Sequence, residues 1–392
     1  MNQTAIVVAS FFIIFAFSSV DSSISPMVRE LGAFFGVEMD RVLLLIPGCP
    51  VGIVLGVFVG PALTASYPVF WLLTLGSLGL FVSLALFLCT GQFETALTLR
   101  FIFGLSSGLT ASCMWWLAFQ GVDKSHYQAM VSVLMSARPL ATAIGVPLAG
   151  IVAARSAWSV PFWGLAVLVA VSGAVLVVAL SAMTEPPKVP FSPRRIVGDY
   201  WAAFEEPFAL SYYAGLTINR MCYFGFYSMA GLWFIRQFGL TLSWISTALF
   251  LIGLGEAPVS FVVPWLVRRL GHGPVFAASL AISAVVFPLF ISATFPLGVT
   301  IALITLFMVL DRIYITALVI TIPAMFPGAR NKTVFGSLNT LTAWGGLTAI
   351  SWLEGQYLET AGLVLFGHLL TGCFVVGSLL LYRVQRATVL GR

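Results

Sequence analysis

The chain alternates between long apolar runs and short polar segments. Twelve of these runs come close to or exceed the roughly 20 residues that an α-helix needs to cross a lipid bilayer. Most connections between the runs are very short, so neighbouring helices should run antiparallel. The pattern predicts an all-α integral membrane protein with twelve transmembrane helices. The runs lie near residues 5–27, 42–64, 69–90, 94–120, 128–153, 158–182, 208–235, 241–266, 275–293, 296–325, 333–353 and 361–382.

One connection is longer and more polar than the others. Residues 183–207 contain several prolines, three basic residues and an acidic pair. This segment divides the runs into six and six. It predicts an N-terminal six-helix bundle over residues 1–182, a cytoplasmic linker loop, and a C-terminal six-helix bundle over residues 208–392. Residues 15–21 are weakly similar to residues 224–230, so we expect the two bundles to be pseudo-symmetric.

Composition and charge agree with a membrane location and add an orientation. Only 8% of the residues are charged, against about 25% in a soluble domain, and 60% are hydrophobic. Basic residues favour the cytoplasmic side of a bacterial inner membrane. If both termini are cytoplasmic, the inside segments hold most of the basic residues outside the spans. They are Lys124, Lys188, Arg194, Arg195, Arg268, Arg269, Arg330, Lys332, Arg383, Arg386 and Arg392, against Arg29, Arg41, Arg155 and Arg236 outside.

Charged side chains within the predicted spans are the main candidates for function. A charge at the bilayer centre costs roughly 2.5–3.5 kcal/mol even on the most lenient scale, so each should face a cavity or a partner. The helical rise of about 1.5 Å per residue gives their depth. It predicts one layer near mid-membrane for Arg138, Arg220, Glu256, Asp311 and Arg312, and an outer position, where they could pair, for Asp21 and Arg100.

Glu256 is the strongest candidate for a group that carries a proton. A carboxylate in a low-dielectric site can alternate between its protonated and ionised forms as water access changes. Asp21 or Asp311 would provide a second carboxylate of this kind. The alternative is that these charges form fixed structural ion pairs. Asp311 and Arg312 are adjacent on a helix and point about 100° apart, so each would then need a different partner.

The arginines suit a different role. Arg keeps its proton in proteins, so Arg138, Arg220 and Arg312 suit anion binding or compensation of a carboxylate. Tyr223 and Tyr227 follow Arg220 by three and seven residues on the same helix face, and we expect them to line a solute cavity. The other aromatic residues of the spans are interpreted as packing or lipid-facing side chains, among them Trp115, Trp116, Trp233, Tyr314 and Trp344.

Four stretches resemble the major facilitator superfamily, and within it the twelve-span drug:proton antiporter branch. They are Asp21-Ser-Ser-Ile-Ser-Pro26, Leu99-Arg100-Phe-Ile-Phe-Gly104-Leu-Ser-Ser-Gly108, Gly145-Val-Pro147-Leu-Ala-Gly150, and Ala154-Arg155-Ser-Ala-Trp158 through Phe162. The resemblance implies transport by alternating access, with a part for Arg100 in proton coupling. It also implies that Gly145, Pro147 and Gly150 form a hinge and packing seal.

The chain departs from that family at one signature loop. The loop between spans 2 and 3 should contain an Asp-Arg pair, but Thr64 and Ala65 occupy those positions. Arg138 is a second departure, because relatives usually carry a small or apolar residue there. Both departures favour a specialised substrate over general drug export.

The leading hypothesis is a secondary transporter that exports a small organic solute in exchange for protons. One alternative is an organic-anion carrier for uptake or exchange without obligatory protons, and another is a non-transporting sensor or assembly factor on a carrier scaffold. The expected partners are a small-molecule solute, for which an anion is one candidate, protons and membrane lipid. We expect a monomer that binds no nucleic acid, cofactor or metal and is not an enzyme.

Overall fold

The computed structural model describes residues 3–42, 44–181, 183, 185–256, 258–327 and 331–390. Arg330 and Arg392, which enter the charge asymmetry, lie outside the described residues. Within those ranges the structure is built from α-helices, short helical turns and connecting segments.

Among the residues that the structure describes, the first half of the chain forms nine helices. Two of them end in a wide π-type turn, at Leu117–Gly121 and at Ala141–Gly145. Such turns are frequent at functional sites. The helices are α1 (Gln3–Ser23), α2 (Val28–Phe35), α3 (Met39–Val42), α4 (Leu45–Ser66), α5 (Val69–Cys89), α6 (Phe93–Trp116), α7 (Lys124–Leu140), α8 (Val146–Arg155) and α9 (Ser159–Ser181).

The described part of the second half contains eight more helices. The last of them is 54 residues long but is interrupted at Gly362, whose φ of 77° is left-handed and not helical. The helices are α10 (Pro193–Glu205), α11 (Ala209–Phe238), α12 (Leu242–Glu256), α13 (Val259–Leu270), α14 (His272–Ser292), α15 (Leu297–Ile320), α16 (Ile322–Met325) and α17 (Lys332–Gln385).

The predicted all-α membrane architecture is confirmed. Among the described residues, ten helical segments are long and apolar enough to cross a membrane. Two further segments complete the twelve predicted runs: α11, which has 30 residues, and the part of α17 before Gly362. The polar residues of α11, such as Asn219 and Arg220, make it less apolar than the ten.

Contacts divide the chain into two compact units. The N-terminal unit comprises Met1–Trp201 and Arg330–Ser337, and the C-terminal unit comprises Ala202–Ala329 and Leu338–Arg392. The boundaries predicted for the two bundles remain a prediction. One detail of the predicted linker loop is corrected, because α10 lies within it. Pro193 suits the first position of a helix, since its missing N–H has no partner there, and no proline follows until Pro207.

In the N-terminal unit, α4 and α6 pack backbone against backbone. A side-chain carbon added at Gly104 would lie 2.1 Å from the carbonyl oxygen of Cys49, and one added at Gly52 would lie 2.3 Å from that of Phe101. Small residues permit this close approach within membranes. The packing fixes the position of Arg100, one helical turn before Gly104.

The loop that lacks the Asp-Arg pair is contacted by charged residues from a distant part of the N-terminal unit. The Glu185 carboxylate accepts the backbone N–H of Val69 at 2.8 Å, at the start of α5. Lys188 Nζ lies 2.5 Å from Glu185 and donates to the Thr64 carbonyl oxygen at 3.0 Å. A carboxylate at a helix N-terminus and a cation at a helix C-terminus are both favourable. The residues after α9 therefore supply charges that the loop itself lacks.

Candidate functional site

Among the described residues, the seven charged side chains predicted to lie within the spans form two clusters, one in each unit. The C-terminal cluster contains two ion pairs. In the first, Arg220 of α11 binds Asp311 of α15 through two nearly parallel hydrogen bonds, Nη1 to Oδ2 at 3.0 Å and Nη2 to Oδ1 at 2.5 Å. Both side chains are buried. This bidentate geometry is the strongest that Arg and a carboxylate can form.

Two neutral side chains complete this first pair. The Tyr314 hydroxyl donates to Asp311 Oδ1 at 2.5 Å. The Asn219 amide oxygen accepts from Arg220 Nη2 at 2.6 Å, while its nitrogen donates to Ser378 at 3.3 Å. Asp311 is therefore held by three donated hydrogen bonds from two side chains. Both carboxylate oxygens of Asp311 are therefore hydrogen-bonded.

The second pair joins Glu256 to Arg312. Arg312 Nε donates to Glu256 Oε1 at 3.0 Å, and Arg312 Nη2 contacts the same oxygen. The Tyr223 hydroxyl also donates to Oε1, at 2.7 Å. Arg312 Nη2 lies 3.2 Å from that hydroxyl. The Glu256 side chain is buried. Among the described contacts, Arg312 and Tyr223 both bind it at Oε1.

Tyr223 links the two ion pairs. Its ring centroid lies 5.2 Å from the guanidinium carbon of Arg220 and 5.8 Å from that of Arg312. The Tyr227 ring is next in line, 5.5 Å from the Tyr223 ring. A cation over an aromatic face is attracted by the ring electrons. The result is one continuous polar array along α11, with two positive and two negative groups.

Glu256 lies within the eighth predicted span. It is the last residue of α12, and α13 begins at Val259, with residue 257 outside the described residues. The segment Trp244–Leu270 is, as a whole, among the helical segments that are long and apolar enough to cross a membrane. The ion pair therefore belongs to a membrane-spanning segment.

The N-terminal cluster consists of Asp21, Arg100 and Arg138. Arg100 Nη2 donates to Asp21 Oδ1 at 3.0 Å, which confirms the predicted pairing, and Arg100 is almost fully buried. Arg138 Nη2 lies 3.9 Å from Asp21 Oδ2, and its side chain is 45% exposed. Two cations share one carboxylate, so this cluster carries a formal excess of positive charge.

This arrangement corrects the predicted single layer of charges. Arg138 was expected at the depth of Glu256 and apart from Asp21, but it lies beside Asp21. Depth estimated from backbone rise ignores the length of an Arg side chain, which extends over about a full helical turn. Asp311 and Arg312 do have separate partners, as predicted from their helical positions.

The predicted hinge residues have different surroundings. Gly145 closes the π-type turn before α8 and packs on α1, where an added side-chain carbon would lie 2.1 Å from Ser19 Oγ. Pro147 lies in the first turn of α8. Gly150 faces open space. The packing part of the expectation therefore applies to Gly145, and the hinge remains a prediction.

Two members of the C-terminal cluster were not among the site residues predicted from the sequence. Tyr314 was interpreted as a packing or lipid-facing residue, and Asn219 was not considered. Both positions carried a signal, because Tyr314 follows Asp311 by three residues and Asn219 precedes Arg220. Within the described ranges, no group of three His, Cys, Asp or Glu side chains could hold a metal ion.

The helices and their matched interior charges define a polytopic membrane protein with polar sites in its bundles. Residues 6–350 match the family model of the Major Facilitator Superfamily, and the chain belongs to that superfamily. Its members are transporters rather than enzymes, as predicted. The expected drug:proton antiporter branch remains a prediction.

One curated relative is the uncharacterized MFS-type transporter YceJ of Bacillus subtilis, 24% identical over 266 residues. The match covers 67% of this chain and 66% of that protein, just under two thirds of its length. That relative is described as uncharacterized, so it adds neither a substrate nor a direction of transport.

Three solved structures show the same fold. The human organic anion transporter MFSD10 has a TM-score of 0.75 at 16% identity, with 97% of this chain and 100% of that chain covered. An outward-facing bacterial homologue of the iron transporter ferroportin has a TM-score of 0.78 at 14% identity, with 98% and 99% covered. The proton:xylose symporter XylE has a TM-score of 0.71 at 13% identity, with 97% and 95% covered.

Removal of one partner from the Arg220–Asp311 pair should destabilise the protein. Asp311→Asn would leave a buried guanidinium without its counter-charge, which typically costs about 3–5 kcal/mol. We expect a clearly lower melting temperature in detergent. The double variant Arg220→Met with Asp311→Leu removes both charges and should recover most of the loss. A double variant that is no more stable than Asp311→Asn would argue against a paired structural role.

Proposed function

We propose that this protein is a secondary transporter that moves a small organic solute by alternating access, with export driven by proton exchange. The observation that carries the proposal is the Glu256–Arg312 pair. It is buried within the eighth span, and it shares Tyr223 with a second, more fully bonded pair. Family membership supports transport, while the geometry of this pair supports the choice of Glu256 as the proton site.

Protonation of Glu256 would remove the charge that holds Arg312. Ionised Glu256 would accept a hydrogen bond from a polar or cationic group of the solute, with Tyr223 and Tyr227 beside it. Protonation would remove that acceptor and release the solute, while Arg312, which cannot lose its own proton, would keep its contact with the Tyr223 hydroxyl. Loss of the proton would restore the ion pair and let the next solute bind. Proton and solute would therefore compete for the Glu256 carboxylate, as exchange requires.

Asp311 would keep its charge throughout the cycle. Arg220 and Tyr314 donate three hydrogen bonds to it, so protonation would leave several donors without an acceptor. Arg220 is then a fixed positive charge beside the solute and not a moving part. Asp21 with Arg100 forms a second candidate proton site in the N-terminal unit.

The setting of this transporter is part of the proposal. The basic residues of the sequence support a bacterial inner-membrane protein with both termini in the cytoplasm. We further propose that it acts as a monomer and belongs near the drug:proton antiporter branch.

Organic-anion transport is a second candidate, favoured by the N-terminal cluster. Arg100 and Arg138 outnumber the single carboxylate of Asp21, and Arg138 is the most exposed of the three side chains. An anionic solute would balance this excess charge. The fold shared with the human organic anion transporter MFSD10 is compatible with such a substrate.

Glu256→Gln should abolish proton coupling. The amide keeps the size of the side chain but cannot exchange a proton. In reconstituted vesicles, we expect the flux of solutes from a fluorescent panel, driven by a pH gradient, to fall at least tenfold, while exchange of the same solute across the membrane persists. Glu94→Gln, an identical change at an exposed residue, is the matched control. Unchanged gradient-driven flux in Glu256→Gln would rule out this residue as the proton site.

Arg138→Ala separates the two candidate functions. If the transported solute is an organic anion bound at the N-terminal cluster, anions that raise the melting temperature of the wild-type protein should lose that effect in Arg138→Ala. Arg155→Ala, at the exposed end of α8, should respond like the wild type. An undiminished thermal shift in Arg138→Ala would contradict anion binding at this position.

A further inference from the structure

Helix α10 has two apolar faces with different surroundings. One face packs within the N-terminal unit. The Tyr200 ring stacks on the Phe58 ring at a centroid distance of 4.9 Å, and its hydroxyl lies 3.3 Å from the Val57 carbonyl oxygen. Burial raises the pKa of the Tyr200 hydroxyl above its usual value, so it remains a hydrogen-bond donor. Asp199 accepts a hydrogen bond from Asn331 at 2.8 Å on the same side.

The other apolar face is exposed, and we call it the outer stripe. It consists of Val197, Trp201 and Phe204, which follow one another at intervals of four and three residues. This spacing places the three side chains on a single side of the helix. Trp201 is 70% exposed and Val197 is 62% exposed, whereas Phe204 is 37% exposed and its ring centroid lies 6.4 Å from that of Tyr213. Large apolar side chains grouped in this way mark a surface that another apolar phase covers.

The position of α10 in the chain indicates which phase that is. The membrane-length helix α9 ends at Ser181, and α11 begins at Ala209, only four residues after the end of α10. The outer stripe is therefore tethered close to the end of a membrane-spanning helix. Tryptophan is enriched at the boundary between lipid headgroups and acyl chains, where its ring meets apolar groups and its N–H meets polar ones.

The positive charge of Arg194, at the start of α10, is complementary to the phosphates of lipid headgroups. Arg194 is exposed and precedes Val197 by three residues, so it lies beside the outer stripe. An Arg in this position can direct its guanidinium to lipid phosphates while the stripe enters the acyl boundary. A soluble partner protein would require no such tether to the membrane surface.

We propose that α10 is an interfacial helix, whose outer stripe lies in the headgroup–acyl boundary of the adjacent lipid leaflet. The inner face, with Tyr200 and Asp199, binds the helix to the N-terminal unit. The outer stripe binds the same helix to the bilayer. The connection between the two halves is thereby anchored on both sides. This inference is independent of the transported solute and of the proton site.

Spin labels on α10 test the proposal directly. In a variant whose five native cysteines are replaced by alanine, Trp201→Cys is labelled, and Ala202→Cys serves as the matched control on the polar side. The proteins are placed in nanodiscs of phosphatidylethanolamine and phosphatidylglycerol. We expect the label at position 201 to collide several times more often with oxygen, relative to a water-soluble nickel chelate, than the label at 202.

A third labelled position controls for the removal of the Trp201 side chain in Trp201→Cys. Val197→Cys keeps Trp201 and should give the same lipid-like ratio as position 201. Equal, water-like ratios at positions 197, 201 and 202 would overturn the proposal. Protection of positions 197 and 201 from both reagents would also overturn it, because protein rather than lipid would then cover the outer stripe.

Discussion

The need to compensate charge inside a lipid-solvated bundle governs this structure. Each buried carboxylate of the C-terminal cluster lies against its own arginine: Asp311 against Arg220, and Glu256 against Arg312. An isolated ion would be too costly at these depths. A matched pair is tolerated, but removal of one charge exposes the cost of the other. Any event that alters one charge must therefore rearrange its partner, which is what a coupled transporter requires.

The two pairs differ in how firmly they hold their carboxylates. Asp311 is bound at both oxygens, and Tyr314 adds a further hydrogen bond. Arg312 and Tyr223 both bind Glu256 at Oε1. On this difference rests the proposal that the first pair is fixed and the second exchanges a proton. The Tyr223 ring lies near the guanidinium groups of both Arg220 and Arg312. A movement of Arg312 would therefore change the surroundings of Arg220.

The sequence predicted much of the fold, because membrane helices leave a simple signal. The length of an apolar run follows from bilayer thickness, and that constraint does not depend on the tertiary structure. The separate partners of Asp311 and Arg312 followed from helix geometry alone. Asp21 and Arg100 were also expected to pair.

The missed features depend on side-chain reach and on contacts distant in sequence. Arg138 lies beside Asp21 because its side chain is long, which a count of backbone rise does not include. Tyr314 looked like any buried aromatic residue until Asp311 and Arg220 were placed around its hydroxyl. Helix α10 was hidden in a segment rich in prolines, although Pro193 begins the helix and does not break it.

The central claim is that Glu256 exchanges a proton while Asp311 stays ionised. Infrared difference spectroscopy of the reconstituted protein between neutral and acidic pH observes this directly, because a protonated carboxyl group gains a distinct C=O stretch. Exposed carboxyl groups contribute to this band in every variant, so the diagnostic component is the one at the higher frequency of a buried carboxyl group. We expect acidification to produce that component in the wild-type protein and in Glu94→Gln, and it should be absent in Glu256→Gln. Two results would contradict the account. One is an undiminished band from buried carboxyl groups in Glu256→Gln, and the other is the absence of such a band in the wild-type protein.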